Sequence, residues 1–120
     1  MTQGVVPAEI LRRYHAAINA LDYHAIEAIF AADIVYDSGG VGGLISGRDA
    51  VMAAFKTYFA EYPDQVSEDL SVDTLSPNTA RSVWALQATS ATTGAPYKRQ
   101  GTETITLDED GRIVRVDVEG

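Results

Sequence analysis

Apolar side chains in the first part of the chain recur at the spacing of a helix. Pro7 suits the first turn of such a helix, and its apolar stripe consists of Ile10, Tyr14, Ile18 and Leu21. The pattern therefore predicts an amphipathic helix near the start of the chain.

Two further helices are indicated before residue 64. Asp22 can cap a short helix over the apolar residues between 25 and 30, and residues 34–36 then read as a short strand. Asp49 is an acid suited to the first turn of the third helix, and Pro63 ends it. The stripe of this third helix comprises Val51, Phe55, Tyr58, Phe59 and Tyr62.

From residue 66 the apolar period changes from that of a helix to the two-residue period of a strand. Clusters of turn residues divide this half of the chain into four strands. The predicted strands cover residues 66–75, 79–92, 97–107 and 112–118. Because each turn is tight, successive strands should pair as an antiparallel meander.

Helices followed by a meander predict an α+β fold, in which three N-terminal helices pack on one face of a curved antiparallel sheet. Such an arrangement forms a cone that is open at one end, and the open end is a natural pocket for a small molecule. The 120 residues are enough for one domain, over 1–120.

Composition excludes several classes of partner and site. The formal charge of −8 disfavours nucleic acid and anionic membrane as partners, and the absence of cysteine excludes disulfides and thiolate metal sites. No apolar run is long enough to span a membrane, and residues 1–4 do not resemble a secretory signal. We therefore predict a cytoplasmic protein with no membrane contact.

The glycine-rich segment and the two histidines carry no clear chemistry. Residues 39–47 lack the third glycine of a dinucleotide fingerprint and the Lys-Ser/Thr of a P-loop, so we interpret them as a flexible loop. His15 and His24 have no partner at the spacing of metal ligands, so no metal site is predicted. His15 could flank a pocket, but we favour a boundary or surface residue, and we give His24 no role.

Four polar residues are candidates for the functional site, namely Tyr14, Asp37, Ser38 and Glu103. Tyr14 lies on an apolar stripe, so its hydroxyl needs a buried partner, and Asp37 and Ser38 end the first strand at its mouth. Glu103 shares the apolar face of its strand with Ile105 and Leu107, where burial would raise the pKa of its carboxyl.

The chain resembles the nuclear-transport-factor-2-like superfamily, and within it the SnoaL-like and ketosteroid-isomerase-like branch. The resemblance covers about residues 8–118. It rests on the segments Arg13-Tyr14-His15-Ala16-Ala17-Ile18-Asn19-Ala20, Leu21-Asp22, Phe30-Ala31-Ala32-Asp33, Gly47-Arg48-Asp49-Ala50-Val51 and Gly111-Arg112-Ile113-Val114. The resemblance implies the cone-shaped fold, a homodimer formed through the outer face of the sheet, a small hydrophobic ligand, and no metal or organic cofactor.

The resemblance also implies roles for individual residues. Ketosteroid isomerase uses an aspartate base with a tyrosine and a protonated aspartate as oxyanion donors. The two donors fall on Tyr14 and Glu103, whereas the base position falls on Ser38, with Asp37 one residue before it. The implied pocket residues are Ile18, Tyr36, Phe55, Phe59, Trp84, Leu86, Ala88, Val116 and Val118.

Two functions stay open at this point. One is a cofactor-independent isomerase or cyclase that transfers a proton next to a carbonyl, with Asp37 moving the proton. The other is a non-catalytic module that binds a small apolar ligand or pairs through its sheet. The direction of the Asp37 side chain separates the two, because an outward Asp37 leaves the base missing. A protein adaptor is a third possibility, for which the sequence offers no exposed aromatic loop.

Overall fold

Three helices and six strands make up the fold in the computed structural model, which describes residues 6–120 apart from the side chain of Val41. The helices are α1 (Pro7–Asn19), α2 (Tyr23–Ile29) and α3 (Arg48–Glu61). The strands are β1 (Phe30–Ser38), β2 (Gly43–Ser46), β3 (Val66–Ser76), β4 (Thr79–Thr89), β5 (Pro96–Leu107) and β6 (Ile113–Glu119). The predicted α+β architecture is confirmed. The prediction that the chain has no secretory signal rests on residues 1–4, which lie outside the described range. The single domain over residues 1–120 stays a prediction.

The sheet has the strand order β2-β1-β6-β5-β4-β3. The four strands of the predicted meander pair antiparallel in sequence order, as expected from their tight turns. β1 instead pairs parallel with β6, which makes the sheet mixed rather than purely antiparallel. A parallel pair needs a long connection, and here α3 and the meander together supply it.

The glycine-rich segment is more ordered than a flexible loop, so that prediction is wrong. Residues Gly39–Val41 form one 3₁₀ turn, and β2 then pairs antiparallel with the end of β1. Gly42 has φ of 91°, a left-handed conformation that glycine adopts without a steric penalty, and this lets the chain turn back onto β1.

The helices cover one face of the sheet and enclose the core. α1 packs on β3, β4 and β5, whereas α3 packs on β1 and β2. Asp22 accepts a hydrogen bond from the Ala25 amide and caps α2, as its position in the sequence predicts. No helix within residues 6–120 is long and apolar enough to cross a membrane.

Candidate functional site

A cavity of about 70 Å³ lies between the helices and the inner face of the sheet. Its walls come from α1, α3 and the inward-facing residues of all the long strands. The lining comprises His15, Ile18, Tyr36, Ser38, Gly40, Phe55, Tyr58, Phe59, Gln65, Ser67, Trp84, Leu86, Arg99, Glu103 and Val118.

Seven of the nine implied pocket residues lie in this lining, and two do not. Val116 is completely buried in the hydrophobic core, whereas Val118, two residues further along β6, is partly buried and lines the cavity. Ala88 is half-buried near the end of β4, where it pairs with Tyr97 outside the lining. These two assignments are therefore wrong.

His15 forms the centre of the most polar part of the site. Its side chain is buried, and its imidazole lies between two carboxylates. The Nε2 donates to Oε1 of Glu103 at 2.6 Å, and the Nδ1 donates to Oδ1 of Asp69 at 2.7 Å. The interpretation of His15 as a boundary or surface residue is therefore wrong. We refer to His15, Asp69 and Glu103 as the acid–histidine cluster.

The position of His15 follows from which face of α1 is buried. Leu11, Tyr14 and Ala17 form the buried stripe, and His15, four residues after Leu11, lies at its edge towards the sheet. The apolar stripe predicted from the sequence, which includes Ile10, Tyr14 and Ile18, is rotated about the helix axis relative to the buried face. For that reason the predicted stripe does not include His15. Ile10 and Ile18 are only partly buried.

The two carboxylates determine the charge of His15. Burial by itself disfavours the imidazolium, but Glu103 and Asp69 outweigh it and raise the pKa of His15 to about 10. At neutral pH the cluster therefore contains a cation between carboxylates, and both ring nitrogens donate.

Within the described part of the chain, no group of three or more His, Asp or Glu side chains is arranged to hold a metal ion.

Only one of the two carboxylate oxygens of Glu103 accepts a hydrogen bond from residues 6–120. Oε1 accepts from His15, whereas Oε2 is buried and makes no hydrogen bond among residues 6–120. The hydroxyl of Tyr14 is likewise buried; Tyr36 and Glu103 lie near enough to raise its pKa, but none of its contacts has the geometry of a hydrogen bond. A buried polar atom without a partner is costly and uncommon, so these two atoms mark a place where a ligand group is expected to complete the bonding.

Tyr14 and Tyr36 are neutral hydroxyl groups beside this carboxylate. Burial raises the pKa of Tyr14 well above its usual value, with further increases from Tyr36 and from Glu103. Burial followed by the charge of Glu103 raises the pKa of Tyr36 as well. Both phenols therefore stay protonated at neutral pH and can donate hydrogen bonds to an oxygen.

The structure places Asp37 and Ser38 on opposite faces of β1. Tyr36 and Ser38 are buried and line the cavity, whereas Asp37 between them is half-buried and lies outside the lining. Asp37 pairs with Asp117 of β6; Asp117 raises the pKa of the Arg115 guanidinium through its hydrogen bond and its charge, and the charge of Asp37 adds a smaller increase. Because β1 stays regular up to Ser38, alternation turns Asp37 outwards, and the structure does not bring it to the other site residues.

The hydroxyl of Ser38 accepts a hydrogen bond from the Gly40 amide at 3.2 Å. It therefore caps the 3₁₀ turn that follows and has no base beside it. Of the four polar residues singled out from the sequence, Ser38 and Glu103 lie in the cavity lining, whereas Tyr14 is completely buried in the core outside that lining and Asp37 lies on the opposite face of β1. His15, Asp69, Tyr58, Gln65, Ser67 and Arg99 are the polar residues in or beside the cavity that sequence reasoning did not assign to it.

Comparison with known proteins identifies relatives of this architecture. The model of the family described as SnoaL-like domain matches residues 11–116. A search of curated proteins finds no match. Three solved structures illustrate the shared fold.

The first is a Mycobacterium tuberculosis protein in complex with estradiol-17β-hemisuccinate, with a TM-score of 0.84, 20% identity and coverage of 96% of this chain and 94% of that one. The second is a candidate polyketide cyclase from Pseudomonas putida, with a TM-score of 0.86, 20% identity and coverage of 98% and 92%. The third is a computationally designed 17-OHP binder, with a TM-score of 0.83, 20% identity and coverage of 96% and 93%. At these identities the three structures establish a common fold.

Proposed function

The chain belongs to the SnoaL-like domain family, and we propose that its cavity binds a small, largely apolar molecule and transfers a proton next to a carbonyl group of that molecule. The observation that carries this proposal is the free Oε2 of Glu103, a buried carboxylate oxygen without a partner in the part of the chain described by the structure. A positioned carboxylate in an apolar site is a suitable general base.

In the proposed reaction, Oε2 of Glu103 accepts a proton from the carbon next to the carbonyl. The electron pair of the broken C–H bond moves into the carbonyl oxygen, and an enolate forms. The Tyr36 hydroxyl lines the cavity and donates a hydrogen bond to that oxygen, where the negative charge develops, and the buried Tyr14 lies next to Tyr36. In an isomerisation the proton then returns from Glu103 to another carbon of the conjugated enolate. In a ring closure the enolate carbon instead forms a bond to a second carbonyl carbon of the same molecule, and Glu103 returns the proton to the alkoxide oxygen that results.

His15 has a supporting role in this proposal. It holds Oε1 of Glu103 through a bond between charged groups, which orients the carboxylate and leaves Oε2 free. The resemblance implied Glu103 as an oxyanion donor and placed the base at Ser38, and the isomerase hypothesis gave the proton transfer to Asp37. In this proposal Glu103 is the base instead, and Tyr36 is the donor beside it. The relatives that carry estradiol-17β-hemisuccinate and 17-OHP support a hydrophobic small molecule as the class of ligand.

The alternative is a non-catalytic module that binds the same class of ligand. It is favoured by Ser38, because the position that the resemblance assigns to a base holds a hydroxyl that is already used as a cap. In that case Glu103 and Tyr36 bind the ligand without transferring a proton.

The isomerisation of 3-cyclohexen-1-one to the conjugated enone distinguishes these functions. We expect the wild type to convert this ketone above the buffer rate, and Asp37→Asn to convert it equally fast, since Asp37 lies outside the cavity. The rise in ultraviolet absorbance of the enone measures both rates. Wild-type turnover no faster than buffer would favour the binding module, and a large loss in Asp37→Asn would show that our placement of the base is wrong.

We further propose a homodimer that forms through the outer face of the sheet. This face presents Val83, which is 39% exposed, and Ala85 beside the polar residues Thr102, Thr104, Arg115 and Asp117. Arg115 and Asp117 form an exposed ion pair at 3.0 Å, so the contact would be apolar in part and polar at its rim. The cytoplasmic location inferred from the sequence stays a prediction.

Light scattering at micromolar concentration tests the dimer. We expect the wild type to have the mass of two chains and Val83→Glu to shift the equilibrium to the monomer, because a charge replaces an apolar contact at the centre of the face. Leu75→Glu is the matched control, since Leu75 is also exposed but lies near the β3–β4 turn. A monomeric wild type would refute the dimer.

A further inference from the structure

Two side chains of the cavity wall carry hydrogen-bonding atoms that the proposed proton transfer does not use. They are Oε1 of Gln65 and Nε1 of Trp84, and neither atom has a hydrogen-bond partner within residues 6–120. Gln65 is 4% exposed and Trp84 is 5% exposed, and both line the cavity. A buried polar atom without a partner costs free energy, so each of these atoms is expected to bond to a group of the ligand.

The orientation of the Gln65 amide is fixed by the main chain of α1. Its Nε2 donates to the carbonyl oxygen of Ile18 at 3.2 Å. Because a carbonyl can only accept, the amide nitrogen must lie on that side and the oxygen on the other. The backbone amide of Gln65 donates to the carbonyl of Tyr62 at 3.2 Å, which holds this segment between α3 and β3. Oε1 is therefore a fixed acceptor.

Trp84 supplies the opposite kind of group. The indole Nε1 can donate a hydrogen bond but cannot accept one. Trp84 lies on β4 opposite Asp69 of β3, which binds His15, so the indole is rooted at the level of the acid–histidine cluster. The cavity wall thus offers one unused acceptor and one unused donor in addition to Oε2 of Glu103.

The unpartnered atoms are concentrated on the cavity wall. Of the six buried side-chain atoms without a hydrogen bond in residues 6–120, three belong to the lining, namely to Gln65, Trp84 and Glu103. The lining consists of only 15 residues, so a random distribution of packing defects would not favour it in this way. This concentration indicates a surface that is complementary to a polar ligand.

Gln65 and the acid–histidine cluster lie at different positions along α1. The Ile18 carbonyl that holds the Gln65 amide is three residues after His15, which corresponds to about 4.5 Å along the helix axis. This offset is comparable to the width of one six-membered ring. A small cyclic ketone is therefore a suitable probe for both parts of the cavity.

We infer that the ligand is a small hydroxyketone. Its carbonyl lies at Tyr36 and Glu103, its hydroxyl donates a hydrogen bond to Oε1 of Gln65, and an oxygen of the ligand accepts from Nε1 of Trp84. A hydroxyl is the smallest uncharged group that can both donate and accept a hydrogen bond. The inference rests on the proposed function, because it names the class of substrate that the same cavity takes.

The test compares 4-hydroxycyclohexan-1-one with 4-methylcyclohexan-1-one, in which a methyl group of similar size replaces the hydroxyl. Calorimetry gives the two affinities, and the fluorescence of Trp84, the single tryptophan, reports binding independently. We expect the hydroxyketone to bind about tenfold more tightly, because a site that hydrogen-bonds a hydroxyl rejects the analogue that lacks it. A purely apolar cavity would give the opposite order, since the methyl group is more hydrophobic.

The indole N–H of Trp84 gives a second readout that needs no substitution. Because the chain has one tryptophan, its indole produces one resonance in a proton–nitrogen correlation spectrum. We expect this resonance to move downfield when the wild type is saturated with the hydroxyketone, since a new hydrogen bond deshields the proton.

Gln65→Met is expected to remove the preference for the hydroxyketone, because methionine has a similar length but no strong acceptor. Gln87→Met is the matched control: Gln87 is exposed on β4 and lies outside the cavity lining, so this variant should keep the preference. Circular dichroism shows whether Gln65→Met folds. If it does not, the wild-type affinities and the indole resonance still decide the question.

Four results would overturn the inference. They are the absence of hydroxyketone binding at millimolar concentration, a wild type that binds the methyl ketone at least as tightly, a preference that survives in folded Gln65→Met, and an indole resonance that does not move downfield at saturation. A failure here is separate from a failure of the proposed function, because 3-cyclohexen-1-one has no hydroxyl and its turnover tests the base alone.

Discussion

Glu103→Gln is expected to lower the turnover of 3-cyclohexen-1-one by roughly 10²–10⁴-fold, the usual contribution of a general base. The amide retains the size of the side chain but has no basic oxygen at neutral pH. Because binding of the ketone depends mainly on the apolar wall, KM should change much less than kcat. Enone formation followed over a range of ketone concentrations gives both constants.

The control for this substitution is Glu27→Gln. Glu27 is exposed on α2, far from the cavity lining, and the change removes the same charge. Circular dichroism and thermal unfolding show whether Glu103→Gln still folds. If a folded Glu103→Gln turns over the ketone as fast as the wild type, the assignment of Glu103 as the base is refuted.

His15→Ala is expected to reduce the free energy of unfolding by about 3–5 kcal/mol at pH 7, because removing one partner of a buried ion pair leaves the other without compensation. Glu103 is the group most affected, since its side chain is 8% exposed, whereas that of Asp69 is 21% exposed. Urea unfolding monitored by circular dichroism measures the change.

The same cluster predicts a pH dependence of stability. Glu103 and Asp69 outweigh the effect of burial and raise the pKa of His15 to about 10, compared with 6.5 for an unperturbed histidine. The folded state therefore binds the proton more tightly than the unfolded state. The stabilisation is fully present below about pH 6.5 and is lost as the pH rises through about 10.

We therefore expect the free energy of unfolding of the wild type to fall between pH 7 and pH 9.5, and that of His15→Ala to change much less. His24→Ala is the matched control, because His24 is exposed, and it should follow the wild type. A wild-type stability that is constant over this range would contradict the charged cluster at the centre of the site.

Much of the inner surface could be predicted because it depends on periods that the backbone geometry imposes. Alternation along β5 indicated that Glu103 faces inwards, and alternation places Trp84 and Leu86, which the family resemblance implied as pocket residues, on one face of β4. The stripe of α3 likewise identified Phe55 and Phe59 as interior residues. Each of these inferences uses neighbours a few positions apart, so no knowledge of the tertiary structure was needed.

The acid–histidine cluster could not be predicted in this way. Asp69 and Glu103 lie 54 and 88 residues from His15 along the chain, and nothing at short range shows that they meet. In addition, Leu70 is an extra residue in β3, because Asp69 pairs with Trp84 and Ser71 pairs with Val83. This bulge interrupts the alternation just after Asp69, so the strand pattern gives a poor indication of which side chains face inwards.

The sequence by itself determined the order of the elements, the α+β class, the meander of four strands and the family resemblance, because helix and strand periods and turn residues act locally. Only the tertiary structure decided which charges meet. It placed His15 between two carboxylates, turned Asp37 outwards by extending β1 to Ser38, and brought Arg99 into the cavity lining beside Gly40. The physical reason is that local periods follow from the geometry of the backbone, whereas the partners of a buried charge are set by the packing of strands and helices that are distant in the chain.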